Sequence, residues 1–461
     1  MNIRDLVVAM LPEHLLLAGI VLVIARDLLP GKTRDGFVPA LAFLVLAAVA
    51  AAFLALVWYQ GSPFPAQLSV APQDLTAKAV IFALAIPVLM LSRDDFADGR
   101  FPVLLLSSLY GIGLMLSADS FLTLFVGLEL MSLPVYALVV LDYRGARSAE
   151  AALKYLVLGG AASAALLMGA ALIFGAVGSL STAAFAAALG STDAMAIAGA
   201  MLVIAAFFLK AAIVPFHAWA PDAYEGASVP VTAYMAAIVK GGVLLAAVRL
   251  FGQAPLAGPV ADFVAVLPLA SIVWGNLAAM RQQSFRRMIA YSSIAHAGYL
   301  FYALLGDGAT RMQAVLFYVL AYGLMNVLAF AALPRRERDA DADRLDSLRG
   351  LFSRAPFASL MIAVAMLSLA GIPPLPGFVA KFLIFKNVMS AGYTLYAVLG
   401  LVGSYLGIYF YLRVIQLMFM SEGEHDDGRG APRRLMRSAS LLSLAGALAL
   451  MILPGWFIAQ F

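Results

Sequence analysis

Of the thirty basic residues in this 461-residue chain only seven are lysines, and five of those, Lys78, Lys154, Lys210, Lys240 and Lys381, fall inside runs apolar enough to lie in lipid. The cations between those runs are almost all arginines. An arginine keeps its proton at any accessible pH, whereas a desolvated lysine can have its pKa lowered by several units. The apolar segments therefore hold the cation that can titrate. Glu129, in LFVGLELMSLPVYAL, and His296, in MIAYSSIAHAGYLFY, add a carboxylate and an imidazole in mid-segment. Ionisable groups in membrane segments mark ion and proton paths, and the chemistry open to this set is stepwise proton transfer.

Each of these residues also has a plainer reading. Glu129, Lys210, Lys240 and Lys381 could form buried structural ion pairs, and a neutral His296 could simply hydrogen-bond between helices. Lys154 follows Glu150 by four residues, which suits a helix-end salt bridge as well as a functional role. Lys78 and Arg413 lie near segment ends and are expected to snorkel to the interface. Cost separates the central group from these: a charge at a helix centre costs about 2.5 to 3.5 kcal/mol, so Lys210, Lys240 and Lys381 together forfeit roughly 8 to 10 kcal/mol. That is comparable to the whole stability of an ordinary domain, which favours a functional reading.

The elements that position these residues follow from composition. The chain is 63% hydrophobic and 12% charged, with a mean hydropathy of +0.95, far from the roughly 25% charged residues of a soluble domain. Scanning for runs of about 20 apolar residues finds fourteen, near 8–25, 37–59, 75–92, 101–117, 120–141, 150–177, 194–215, 229–251, 259–279, 285–305, 311–333, 357–389, 395–420 and 437–460. None shows the alternation of a β-barrel strand. The predicted fold is an all-α integral membrane protein of about 14 transmembrane helices with no soluble domain. The first run contains Glu13 and His14 and lacks a small-residue cleavage site, so it is expected to be retained as a helix.

The loops after segments 1, 3, 5, 9, 11 and 13 hold twenty arginines and lysines, against four (Arg4, Arg249, Arg311 and Lys386) on the other face. This positive-inside bias predicts that both termini lie outside, on the periplasmic face of a bacterial inner membrane. The connection HAWAPDAYEGAS, also on the inner face, has no basic residue and is expected to be inner-rim packing. The polar stretch from Pro334, PRRERDADADRLDSLRG, reads as a solvated inner-face loop or surface helix.

Two segments are interrupted. Segment 12 runs LSLAGIPPLPGFVAKFLIFKN, with Pro373, Pro374 and Pro376 between Gly371 and Gly377, too much helix-breaking chemistry for an uninterrupted span. Segment 7 carries a milder break from Lys210 to Pro215. Backbone freed in this way must be buried in protein or face water, and paired breaks point to inverted repeats. The expected organisation is N-terminal helices 1–3 (residues 1–100), a first repeat of helices 4–8 (101–251), an inverted second repeat of helices 9–13 (259–421) and a final helix (437–460).

On KAAIVPFHAWAPDAYEGASVPVTA from Lys210, LELMSLPVYAL around Glu129, AYSSIAHAGY from Ala290 and GIPPLPGFVAKFLIF from Gly371, the chain resembles the antiporter-like subunits of respiratory complex I and the related Mrp-type cation/proton antiporters. The resemblance covers nearly the whole chain. It implies that Glu129 pairs with Lys210 in an inner-side half-channel, with Lys154 as an accessory site nearby. It further implies that Lys240 is the central relay, that His296 belongs to the hydrated axis beyond it, and that Lys381 leads to the outer-side exit. Ser228 stands where the usual form has proline, a departure expected to alter only a turn.

The resemblance implies that NADH, flavin, iron–sulfur clusters and quinone reside in partner subunits, with no cofactor or metal in this chain. Zero cysteines independently exclude disulfides and thiolate-held zinc or iron–sulfur clusters here. The implied partners are a neighbouring antiporter-like subunit, a small K-type membrane subunit, the lipid bilayer and protons, and no nucleic acid. Two other functions compete: a sodium/proton antiporter subunit of the Mrp type, using the same residues, and a structural membrane spacer, for which the ionisable residues would be dispensable.

Overall fold

A computed structural model describes residues 7–28, 37–56, 58–93, 95–96, 99–141, 146–252, 254, 256, 258–306, 308–334, 344–422 and 434–460. Each of the fourteen apolar runs is helical over most of its length. Ten helices among the described residues are long and apolar enough to cross a membrane. The arginine-rich stretch at 335–343 and the basic residues Arg4, Lys32, Arg34, Arg144, Arg429 and Arg433 lie outside the described residues.

The chain divides into two compact units, residues 1–211 with 239–261, and residues 212–238 with 262–461. The first holds the helices Leu11–Leu28, Phe37–Leu56, Pro72–Ser92, Arg100–Leu116, Phe121–Val140, Ala146–Val177, Ala194–Ala211 and Lys240–Phe251. Arg100–Leu116 and Phe121–Val140 pack backbone to backbone: a Cβ at Gly111 would stand 2.2 Å from Met131 N, and one at Gly127 would stand 2.6 Å from Met115 N. In lipid, where no hydrophobic force drives helices together, such small-residue contacts supply the close packing.

Unexpected from the helical reading, residues Gly61–Phe64 and Leu68–Val70 form a two-stranded antiparallel hairpin in this unit. It is anchored to the helix ends: Ser69 N donates to Ser117 O (3.0 Å) and Asp119 N to Gln67 O (2.8 Å). Arg249 reaches it from the Lys240–Phe251 helix, donating to Ser69 Oγ at 2.7 Å and to Asp74 Oδ1 at 2.9 Å.

The second unit contains Trp219–Gly226, Gly258–Met280 from Asp262 onward, Phe285–Leu305, Gly308–Ala332, Pro356–Ala370, Pro376–Ser390, Thr394–Met420 and Arg434–Ile452. The connection HAWAPDAYEGAS is itself largely helical, over Trp219–Gly226. Its lack of basic residues is also made good: Arg287 Nη1 donates to Asp222 Oδ1 at 2.7 Å and Glu225 Oε2 at 2.9 Å, and Arg286 donates to Ala227 O. The cations for this loop come from the next basic stretch of the chain.

A matching pair of devices marks the two units. Ser120 caps Phe121–Val140 by accepting from Thr123 N (3.1 Å) and forms a β-bridge with Ser181; Ser284 caps Phe285–Tyr302 by accepting from Arg287 N (3.3 Å) and bridges to Arg344. Serine at the N-cap satisfies an amide that the helix leaves open.

Both predicted breaks are present. Segment 7 stops at Ala211, four residues before its expected end, because Ala212 takes φ 61° and Val214–Pro215 is cis. Segment 12 stops at Ala370, where Gly371 takes φ 85°, and restarts at Pro376 after a cis Pro373–Pro374 bond. In each case a left-handed residue is followed three positions later by a cis proline. The chain thus leaves the helix in the same way twice.

Candidate functional site

Glu129, Ser132 and Tyr136 occupy one stripe of the Phe121–Val140 helix, at the three- and four-residue spacing that stacks side chains on a face. Lys210, in the last turn of Ala194–Ala211, points into that stripe. Its Nζ donates to Ser132 Oγ at 3.1 Å and Tyr136 Oη at 3.2 Å, and stands 3.5 Å from Glu129 Oε1. Glu129 Oε1 also accepts from Ser163 Oγ of the Ala146–Val177 helix. The lysine side chain is 2% exposed and the carboxylate 23%, so the pair has one buried end and one partly open end. A proton shared among carboxylate, amine and two hydroxyls can be held or passed on with small movements.

Lys154 lies on the same helix as Ser163 and pairs with Glu150 at 2.7 Å, both side chains well exposed in this chain. Its neighbour Tyr155 packs edge-on against Tyr136, 4.6 Å between ring centres. Lys240 is buried and opens the helix Lys240–Phe251 directly after a π-helical turn, Met235–Val239. Such wide turns are rare inside α-helices and concentrate at functional sites.

In the second unit His296 sits in a nest of tyrosines. Its Nδ1 is 2.7 Å from Tyr318 Oη and its Nε2 is 3.1 Å from Tyr411 Oη, which lies 2.6 Å from Ser292 Oγ. Both ring nitrogens are thereby engaged, so a proton arriving at one has a hydroxyl waiting at the other. A small cavity against His296 is lined by Tyr318, Tyr322, Ser368, Gly377 and Ala380, and so reaches the second break.

Lys381 emerges one turn beyond the restart at Pro376 and reaches back to the end of the preceding half-helix. Its Nζ donates to Ala370 O at 3.0 Å and to Ser404 Oγ at 3.0 Å. A cation at a helix C-terminus is favoured by the helix dipole and by the carbonyls left without amide partners. Tyr299 joins the two groups: its ring lies 5.1 Å below Lys381 Nζ and 5.5 Å from the His296 ring. At the other break the freed amide of Val214 donates to Ser271 Oγ at 2.7 Å.

Residues 118–407, more than half of the chain and including Glu129, Lys154, Lys210, Lys240, His296 and Lys381, match the family described as NADH:quinone oxidoreductase/Mrp antiporter, TM. The chain belongs to that antiporter family, and is a multi-pass membrane protein. Among the family's relatives, an NADH-quinone oxidoreductase subunit N of Pelobacter propionicus is 37% identical over 420 residues, covering 91% of this chain and 90% of that one. A chain of respiratory complex I from Thermus thermophilus with bound aureothin superposes with a TM-score of 0.84 at 34% identity, covering 97% of this chain and 98% of its own. A chain of the Mrp complex from Dietzia sp. DQ12-45-1b also reaches 0.84, at 22% identity, covering 100% and 96%; that likeness concerns the fold.

Four tyrosines beside the ionisable residues were missed by sequence reasoning. Tyr136, Tyr299, Tyr318 and Tyr411 adjoin the ionisable residues; the signal for Tyr136 and Tyr299 was helical spacing from Glu129 and His296, and Tyr318 and Tyr411, on other helices, carried none. One peripheral cation also needs restating. Lys78 does not snorkel: it is 1% exposed and paired with Glu13 at 2.5 Å, because a carboxylate on the facing helix offers it a partner inside. Arg413 donates to Met280 O at 3.1 Å and Gln282 O at 3.3 Å, closing the end of the Gly258–Met280 helix.

Proposed function

We propose that this chain is a subunit of the N type in the membrane arm of an NADH:quinone oxidoreductase, and that it moves protons through two half-channels joined by Lys240. Redox chemistry in partner subunits drives the transfer, and the NADH, flavin, iron–sulfur and quinone sites lie there. Identity to subunit N relatives over nine-tenths of the chain supports the complex I assignment over the Mrp-type reading. The duplicated cap, bridge and break support two repeats built alike. Both termini face the periplasm in this reading, as the arginine distribution requires.

The observation that carries the mechanism is the position of Lys210 among three oxygens, with Glu129 the most distant of them. When the carboxylate closes on Lys210, the ammonium is stabilised. When it withdraws, the remaining charge disfavours a second cation at Lys240, and Lys240 gives up its proton towards His296 and Lys381. Lys381, held on the Ala370 carbonyl and the Ser404 hydroxyl, passes it to the outer side. Lys154 feeds the Glu129 end.

Lys240→Arg tests the relay, since arginine keeps the charge and cannot release the proton. Proton uptake into vesicles during NADH oxidation should collapse while the complex stays assembled. Uptake at the normal rate would dismiss Lys240 as a relay.

A further inference from the structure

The Glu13–Lys78 pair lies outside the relay, in the N-terminal helices of the first unit. Glu13, on Leu11–Leu28, and Lys78, on Pro72–Ser92, meet at 2.5 Å with side chains 3% and 1% exposed. The second carboxylate oxygen, Glu13 Oε2, is buried and has no hydrogen-bond partner among the described residues; neither has the buried hydroxyl of Ser117. Both residues line one small cavity, together with Gly113 and with Pro63, Leu68 and Val70 of the hairpin region. The hairpin closes this cavity at the face where few arginines lie.

A buried ion pair is stable only when its remaining lone pairs are satisfied, and here one carboxylate oxygen is bare. A proton on that oxygen would cancel its charge and supply a donor, for which the unpartnered Ser117 hydroxyl on the same cavity is a candidate acceptor. We propose that Glu13 and Lys78 form a further protonatable site, loaded from the arginine-poor side beneath the hairpin. In loading, a proton leaves a water molecule's hydronium and forms an O–H bond to Oε2. The carboxylate becomes a neutral acid and the pair gains one positive charge; release reverses both changes.

That added charge has specific listeners. Asp74 is one turn from Lys78 on the same helix and accepts from Arg249 Nε at 2.9 Å. Arg249 also approaches Asp119 at 3.9 Å and belongs to the helix that begins with Lys240. The Phe37–Leu56 helix contributes no ionisable residue. Loading Glu13 would therefore shift the balance of the Asp74–Arg249 pair, giving the outer face an electrostatic handle on the helix that carries Lys240.

Infrared difference spectroscopy on the full chain in its native membrane assembly, titrated with acid in H2O and D2O, tests the site without relying on pumping. A carboxylic-acid C=O band should appear on acidification, shift in D2O, and vanish in Glu13→Gln. In Ser117→Ala, which leaves the ion pair in place, the band should move in frequency through loss of its hydrogen-bond partner. Wild-type and Glu13→Gln spectra that superpose would make the pair a permanently ionised staple and overturn the proposal. Should Glu13→Gln not assemble, an unmoved band in Ser117→Ala does the same. The relay can fail its Lys240→Arg test while this band remains, so the two readings fall separately.

Discussion

Lys210 Nζ lies 3.5 Å from Glu129 Oε1, farther than its 3.1 Å contact with Ser132 Oγ. The ion pair is thus slack, with two hydroxyls holding the amine while the carboxylate is itself held by Ser163. A slack pair can tighten or open without breaking any other bond of the lysine, which is what a switch requires.

Glu129→Gln keeps the side-chain shape and the contact with Ser163 and removes only the charge. Under the proposed mechanism, NADH-driven proton uptake should fall roughly tenfold or more, because the carboxylate that stabilises the Lys210 ammonium is gone. The assay is dye-monitored acidification in reconstituted vesicles, with assembly checked on the same preparation. A rate close to that of the parent protein would mean that the charge at Glu129 is dispensable.

Tyr299 offers a separation of ring from hydroxyl. Asn276 Nδ2 donates to its Oη at 3.0 Å, and its ring lies under Lys381. Tyr299→Phe should cost about 1 kcal/mol of stability through the lost hydrogen bond and leave pumping largely intact. Tyr299→Leu should also remove a cation–π contact of about 0.5 to 2 kcal/mol and slow pumping. Equal pumping in the two variants would show that the ring does not position Lys381.

Gly371→Ala should act in two ways. The residue has φ 85°, a conformation that costs an alanine about 1 to 2 kcal/mol, and the new Cβ would stand 3.0 Å from Lys381 Cδ. Gly178→Ala is the control, because φ there is 78° with nothing within 4 Å of the new atom. Both variants should lower the thermal midpoint of the assembly, and only Gly371→Ala should slow proton uptake. Loss of uptake in both would assign the effect to stability alone.

The helices, the two breaks and the ionisable residues were legible in the sequence because each departs sharply from its surroundings: a lysine among alanines, three prolines in a span. What escaped was pairing between distant segments. Glu13 and Lys78 are 65 positions apart, and Lys78 reads as peripheral until the two helices are laid together. HAWAPDAYEGAS looked like an exception to the charge pattern because its arginines, Arg286 and Arg287, arrive from a later loop. The hairpin was hidden for another reason, since strands of four and three residues are too short to show a period. The tyrosines were passed over because an aromatic ring in an apolar run looks like core until its hydroxyl is seen to have a partner.

The π-helical turn Met235–Val239 has a further effect on the residue that follows it. A turn that takes up one extra residue displaces everything after it by about 100° around the axis, the rotation of one α-helical step. Hydropathy nevertheless reads the whole of Val229–Phe251 as one uninterrupted rod. A single-residue deletion in that turn would leave the span long and apolar enough to cross a membrane and aim Lys240 and Arg249 at different neighbours.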